Sequence, residues 1–277
     1  MVGAIGFEPL SYANPFSHTQ PPVPRIWQSI RAVVLLLIVI TLSAAVLLGS
    51  DADPSPCRPA LTLSAIDVSK RLVAKNAERS QHLLSFESKR HYSLEYSGFP
   101  SAYAAQMNVN ASYHAPGTKK LTIVSESGSK LILNHVLHRL IESEEESASD
   151  DANRNAVMLT SDNYQFSMRG CEMAADRDLY VMDVQPLRDN KFLYRGTIWV
   201  DAQDFAVVRI DGEPARNPSF WTKRSKIHHQ YRKIGDFYVP VFNETVTETR
   251  FGGRAVLTIR YESYKLDSSG GKRIVEN

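Results

Sequence analysis

Cysteine is scarce in this chain, with Cys57 and Cys171 the two present among 277 residues. A disulfide-dense scaffold is excluded by that count, and so is a four-thiolate metal site. An oxidising compartment would permit one bridge between them, tying a linker to the middle of the chain; two unpaired thiols are the other reading. Net charge is also nearly absent, at +2. Lysine and arginine are spread along the sequence, without the basic stripe that nucleic-acid recognition requires. Catalytic signatures are missing as well: there is no G-x-S-x-G elbow, phosphate-cradling G-x-x-x-x-G-K-[ST] loop, H-E-x-x-H or C-x-x-C. The expectation is a protein that is not an enzyme and carries neither cofactor nor metal. Asp201 and Asp204 are close in sequence, but they sit in a predicted turn, where Asp bonds nearby amides. His228 and His229 are neighbours on a predicted strand, so they point to opposite faces and do not share a metal.

What the sequence does have is one long apolar run. Residues 32–50, AVVLLLIVITLSAAVLLGS, are uncharged and close to the length that spans a bilayer core as a helix. Arg25 and Arg31 precede the run, and Asp51 and Asp53 follow it. Basic flanks stay cytoplasmic, which places the remainder of the chain outside. Two readings stay open: a cleaved signal peptide, with Ser43-Ala44-Ala45 or Ser50-Asp51-Ala52 as the small-residue site, or a retained signal anchor. Cys57 follows Asp53-Pro54-Ser55-Pro56, which is not a lipoprotein processing site.

The remainder reads as one mainly β (α+β) domain over 64–266, after a leader or cytoplasmic segment (1–31), the apolar run (32–50) and a linker over 51–63 with Pro54, Pro56 and Pro59. Residues 267–277 are polar and read as a disordered tail. Ser64 with Asp67 three residues on is a helix-start pattern, and Val68, Leu72 and Val73 begin an apolar stripe. A second helix is predicted over 129–147 from Leu131, Ile132, Val136, Leu137, Leu140 and Ile141. Its acidic end, with Glu142, Glu144, Glu145 and Glu146, opposes the helix dipole and predicts a solvated loop to about Leu159. Strand alternation marks Arg90–Tyr96, Met107–Tyr113 and 121–125, then most of the chain from Tyr164. Short connections imply antiparallel neighbours in a meander of about nine or ten strands.

Aromatic and methionine side chains recur at strand spacing, and they read either as plain core or as the lining of a cavity in a curved sheet. The run Tyr194-Arg195-Gly196-Thr197-Ile198-Trp199-Val200-Asp201, followed by Asp204-Phe205-Ala206-Val207-Val208-Arg209-Ile210, resembles the outer-membrane lipoprotein-sorting proteins of the LolA/LolB type. Leu179-Tyr180-Val181-Met182-Asp183-Val184-Gln185-Pro186 is similar to the strand before that hairpin, and the resemblance spans roughly Leu63 to Leu266. It implies a half-open antiparallel β-barrel with two covering helices, preceded here by the transmembrane or signal helix. It also implies a periplasmic protein, soluble or tethered to the inner membrane, that binds acyl chains of lipoproteins or lipids. Tyr180, Met182, Phe192, Tyr194 and Ile198 are the expected lining of its apolar cavity. The alternative on the same fold is a membrane-tethered module that binds an envelope protein partner and carries no ligand.

Overall fold

A computed structural model describes residues 62–276, apart from 117, 150–156, 175–176, 191, 218 and 221. The apolar run over 32–50 lies outside the described residues, as does nearly all of the linker. No helix among the described residues is long and apolar enough to cross a membrane.

The first helix, α1 (Ala65–His82), starts where the sequence pattern places it. The Ser64 hydroxyl accepts from the Asp67 amide at 3.2 Å and donates to the Asp67 carboxylate at 2.7 Å, satisfying a free amide of the first turn. Val68 and Leu72 lie one turn apart on a single face and are fully buried. Each contributes about 1.5–3 kcal/mol relative to exposure. The helix passes without a loop into β1 (Leu83–Ser97).

Ten further strands follow: β2 (Tyr103–His114), β3 (Thr118–Gly128), β4 (Tyr164–Ala174), β5 (Arg177–Pro186), β6 (Tyr194–Asp201), β7 (Val207–Pro214), β8 (Thr222–Ile234), β9 (Phe237–Thr249), β10 (Arg254–Ser268) and β11 (Gly271–Glu276). They form one antiparallel sheet in the order β3-β2-β1-β10-β9-β8-β7-β6-β5-β4, with β11 beside the end of β10. The edges β3 and β4 do not pair, so the barrel is open, as the fold reading expected. Several strand pairs shift register, and such bulges add twist and bend. Helix α1 packs against both β1 and β4, which are seven strands apart in the sheet order. A flat sheet would separate them by ~34 Å, more than the ~27 Å length of an 18-residue helix, so the sheet curls around α1.

Two expectations are corrected. The tail is not disordered throughout: Gly271–Glu276 pairs as β11 with Ser263–Ser268 of β10. Strand β9 pairs with β10 only as far as Arg260, which leaves that edge open for the returning chain. The second helical segment also runs further than its acid-rich end suggested. It comprises α2 (Lys130–Ile132), a π turn (Leu133–Leu137) and α3 (His138–Ser149). Its acids are not all solvated. Glu144 is buried against Arg90 at 2.7 Å and also pairs with Lys119. Glu145 accepts the Leu121 amide of edge strand β3 at 2.6 Å. Partners contributed by the sheet outweigh the unfavourable helix dipole, and local sequence does not display those partners.

Candidate ligand-binding site

Register assigns the strand side chains to two faces, and both helical segments lie on the same one. Met107, Tyr92 and Ile259 are successive cross-strand partners on β2, β1 and β10. The row continues through Asn243 on β9, His229 on β8 and Ile210 on β7. It ends with Ile198, Met182 and Met168 on β6, β5 and β4. The first part of this face packs with Leu137 and Leu140 of the π turn and α3, and the last part packs with Val68 and Leu72 of α1. Two apolar lobes result, one under each helical segment.

All five residues expected to line a cavity fall in the second lobe. Tyr180, Met182, Tyr194 and Ile198 are buried there, and Phe192 is half-buried against them. The aromatic wall continues through Tyr164, whose ring lies 5.5 Å from that of Tyr194, to Phe166 at 6.2 Å. Tyr180 stacks on Phe205 at 6.3 Å, and the Arg71 guanidinium covers the other ring at 5.2 Å. Burial pushes the Tyr194 phenol well above its ordinary pKa, with Tyr164 and Tyr231 adding to the shift, and burial raises Tyr164 as well. These phenols stay neutral and present apolar ring faces.

Between the lobes the same face turns polar. Ser225 and His229 of β8 and Asn243 and Thr245 of β9 are each more than nine-tenths buried. Asn243 Nδ2 donates to the Tyr261 hydroxyl at 3.1 Å, and the Ser225 and Thr247 hydroxyls bond at 2.8 Å. Asn243 Oδ1 and Thr245 Oγ1 are buried with no hydrogen-bond partner among the described residues. The two residues stand two positions apart on β9 and so project from one face. In the row through Thr245, Ile227 is followed by Gly212 and Gly196, which are partners of each other. A Cβ at Gly212 would lie 2.5 Å from the Arg195 carbonyl oxygen, and one at Gly196 would lie 2.1 Å from that of Asp211. Close backbone approach therefore demands glycine at both positions, and a strip without side chains adjoins the polar band. None of the residues of this band is among the site residues expected from the sequence. Its signal was present at inward positions of two long strands, where polar residues replace apolar ones.

A second polar cluster fixes the far end of α1. The Asp201 carboxylate accepts the amides of Gln203 and Asp204 at 2.9 and 2.8 Å, the turn role its sequence context indicated. Asp201 also meets Arg177, while Asp204 meets Arg177, Lys233 and the Tyr238 hydroxyl. Arg79 of α1 donates to the carbonyls of Asp236 and Asp204, the former at 3.0 Å. Burial alone would raise the Asp204 pKa, but the hydrogen bonds from Lys233, Tyr238 and Arg177 overcome it and hold this carboxyl well below the usual range. A depressed folded pKa gives stability that is complete above the unfolded value of ~4 and is lost as pH falls below it. In urea unfolding at pH 6 and pH 3, Asp204→Asn should lower stability at the higher pH and shrink the difference between the two. An unchanged difference would contradict the assignment.

Cys171 on β4 is disulfide-bonded, and Cys57, the other cysteine of the chain, lies outside the described residues.

No family model matches the chain, and no curated protein matches it. Solved structures do. One is an outer-membrane lipoprotein-sorting protein domain from Vibrio parahaemolyticus, at 9% identity and TM-score 0.37, covering 74% of this chain and 93% of that one. A LolA superfamily protein from Nitrosomonas europaea matches at 12% identity and TM-score 0.30, covering 74% and 94%. A DUF1329 family protein from Desulfovibrio piger ATCC 29098 matches at 13% identity and TM-score 0.33, covering 72% and 94%.

Proposed function

We propose that this chain binds acyl chains of lipids or lipoproteins outside the cytoplasm, against the helix-bearing face of its open sheet, without catalysis. The observation that carries the reading is the pair Asn243 Oδ1 and Thr245 Oγ1, buried without partners between two apolar lobes. A plain core would hold apolar groups there, because an unsatisfied buried polar atom costs about 1–3 kcal/mol. An amphipathic ligand supplies what is missing. Its ester or amide linkage would bond to the polar band, and its chains would lie over the lobes. Each methylene removed from water adds about 0.8 kcal/mol, which makes an apolar face a sufficient host for an acyl chain. The disulfide at Cys171 and the uncharged run over 32–50 support the compartment.

The test separates core from site. Thr245→Val keeps the shape and removes the hydroxyl, so it should stabilise the ligand-free protein in urea unfolding. The same change should weaken binding of a fluorescent acyl amide about tenfold, the equivalent of 1.4 kcal/mol. Greater stability with unchanged binding would make the band an ordinary core imperfection and remove the main support for the proposal. Phe192→Asp is expected to abolish binding and leave the fold intact, because Phe192 is only half-buried. A folded Phe192→Asp protein that binds the probe normally would exclude the second lobe as the chain-binding surface.

A further inference from the structure

The antiparallel order sends alternate connections to opposite ends of the sheet. One end carries the β1–β2 turn, the β9–β10 turn, the β7–β8 connection and the β5–β6 connection. These four places hold the exposed apolar side chains Phe99, Phe251, Phe220 and Leu187, at 82%, 64%, 73% and 54% exposure. The tips are tied together. A Cβ at Gly98 would lie 2.5 Å from the Gly253 Cα, so the β1–β2 and β9–β10 turns abut. The Tyr96 hydroxyl donates to the Phe99 carbonyl at 2.9 Å. Arg250 Nε donates to the Phe220 carbonyl at 2.7 Å, and its guanidinium lies 5.4 Å from that ring. The exposed bases here are Arg188, Arg216, Lys223, Arg250 and Arg254, with Lys130 at the start of α2; the exposed acids are Asp189 in these connections and Glu95 and Glu248 at the adjoining strand ends, with Glu248 paired to Lys223. The opposite end carries the exposed apolar side chains Leu84, Met173 and Ile274, none of them aromatic. Its β6–β7 and β8–β9 turns present Gln203 and Asp236 and are bound to α1 through Arg79.

Aromatic tips held in one rim by backbone contacts, with cationic side chains around them, match the layered chemistry of an anionic bilayer surface. Rings settle at the headgroup level, and guanidiniums meet the phosphates. We infer that this rim docks on an anionic lipid surface. The aromatic wall of the second lobe reaches the same end, since Tyr164 and Tyr194 begin β4 and β6 there. Docking would therefore set that wall against the membrane.

The test uses the full chain reconstituted in vesicles of phosphatidylglycerol and, separately, of phosphatidylcholine, so that tethering by an N-terminal anchor is common to both. In a chain whose Trp27, Trp199 and Trp221 are replaced by phenylalanine, Phe251→Trp should show a blue-shifted emission that brominated phosphatidylglycerol quenches, and Gln203→Trp at the opposite end should show neither effect. Adding Arg216→Glu and Arg254→Glu should abolish the quenching at the rim while leaving acyl-amide binding unchanged. That combination separates a failure of docking from a failure of ligand binding. Equal quenching at both ends, or quenching that persists in phosphatidylcholine alone, would overturn the inference. So would a rim tryptophan that stays unquenched, which would leave a protein surface as the partner of these aromatic tips.

Discussion

Glu144→Ala should destabilise the protein by about 3–5 kcal/mol, because it leaves buried positive charge without its counter-ion. Arg90 and Glu144 are almost wholly buried, as is the Lys119 side chain. Arg90 comes from β1, Lys119 from edge strand β3 and Glu144 from α3, so one carboxylate joins three elements. The Arg90 guanidinium also lies 5.0 Å from the Tyr261 ring and bonds Ser88 at 3.2 Å, which leaves it little room to turn toward water. Urea unfolding of the alanine variant measures the loss directly. A change below about 1 kcal/mol, the range of exposed ion pairs, would show that the cluster is hydrated in solution.

Asp201→Ala is the second substitution with a large expected effect, again about 3–5 kcal/mol for removing one member of a buried, hydrogen-bonded charge network. The carboxylate has no exposed surface and accepts two backbone amides, the Tyr238 hydroxyl at 3.2 Å and the Arg177 guanidinium. Its loss opens the β6–β7 turn on which Arg79 of α1 rests. Asp201→Asn keeps an acceptor for the turn amides and should recover part of the loss. If asparagine is as stable as the wild type and alanine alone is destabilised, Asp201 serves only as a turn former.

How much of this was legible in the sequence follows from the range of each interaction. The start of α1 was readable because Ser64 and Asp67 act within one turn. The strands and their hairpin neighbours were readable because alternation and short turns are local as well; the β1–β10 pairing that breaks the simple meander was not, because it joins the two ends of the domain. Asp201 was readable as a turn residue, but its bonds to Arg177 on β5 and to Tyr238 on β9 join residues far apart in the chain and left no local mark. The acidic end of the second helical segment was misread for the same reason. Only the assembled sheet brings Arg90 and Lys119 beside Glu144. Strand β11 was missed because Gly271-Lys272-Arg273 reads as polar tail, and only the open edge of β10 makes it a strand. Tyr180, Met182, Tyr194 and Ile198 do cluster, since they share inward parity on neighbouring strands, and Phe192 packs against them from the connection before β6. The polar band needed the register itself, because Asn243 and Thr245 are ordinary strand residues until their partners are known to be apolar lobes.

The most direct measurement is native mass spectrometry of the full-length protein after export and gentle purification, followed by lipid extraction. The account predicts co-purified acylated species, whether phospholipid or acylated peptide, present in the wild type and depleted in Thr245→Val. A ligand-free protein that also fails to bind a fluorescent acyl amide would contradict it.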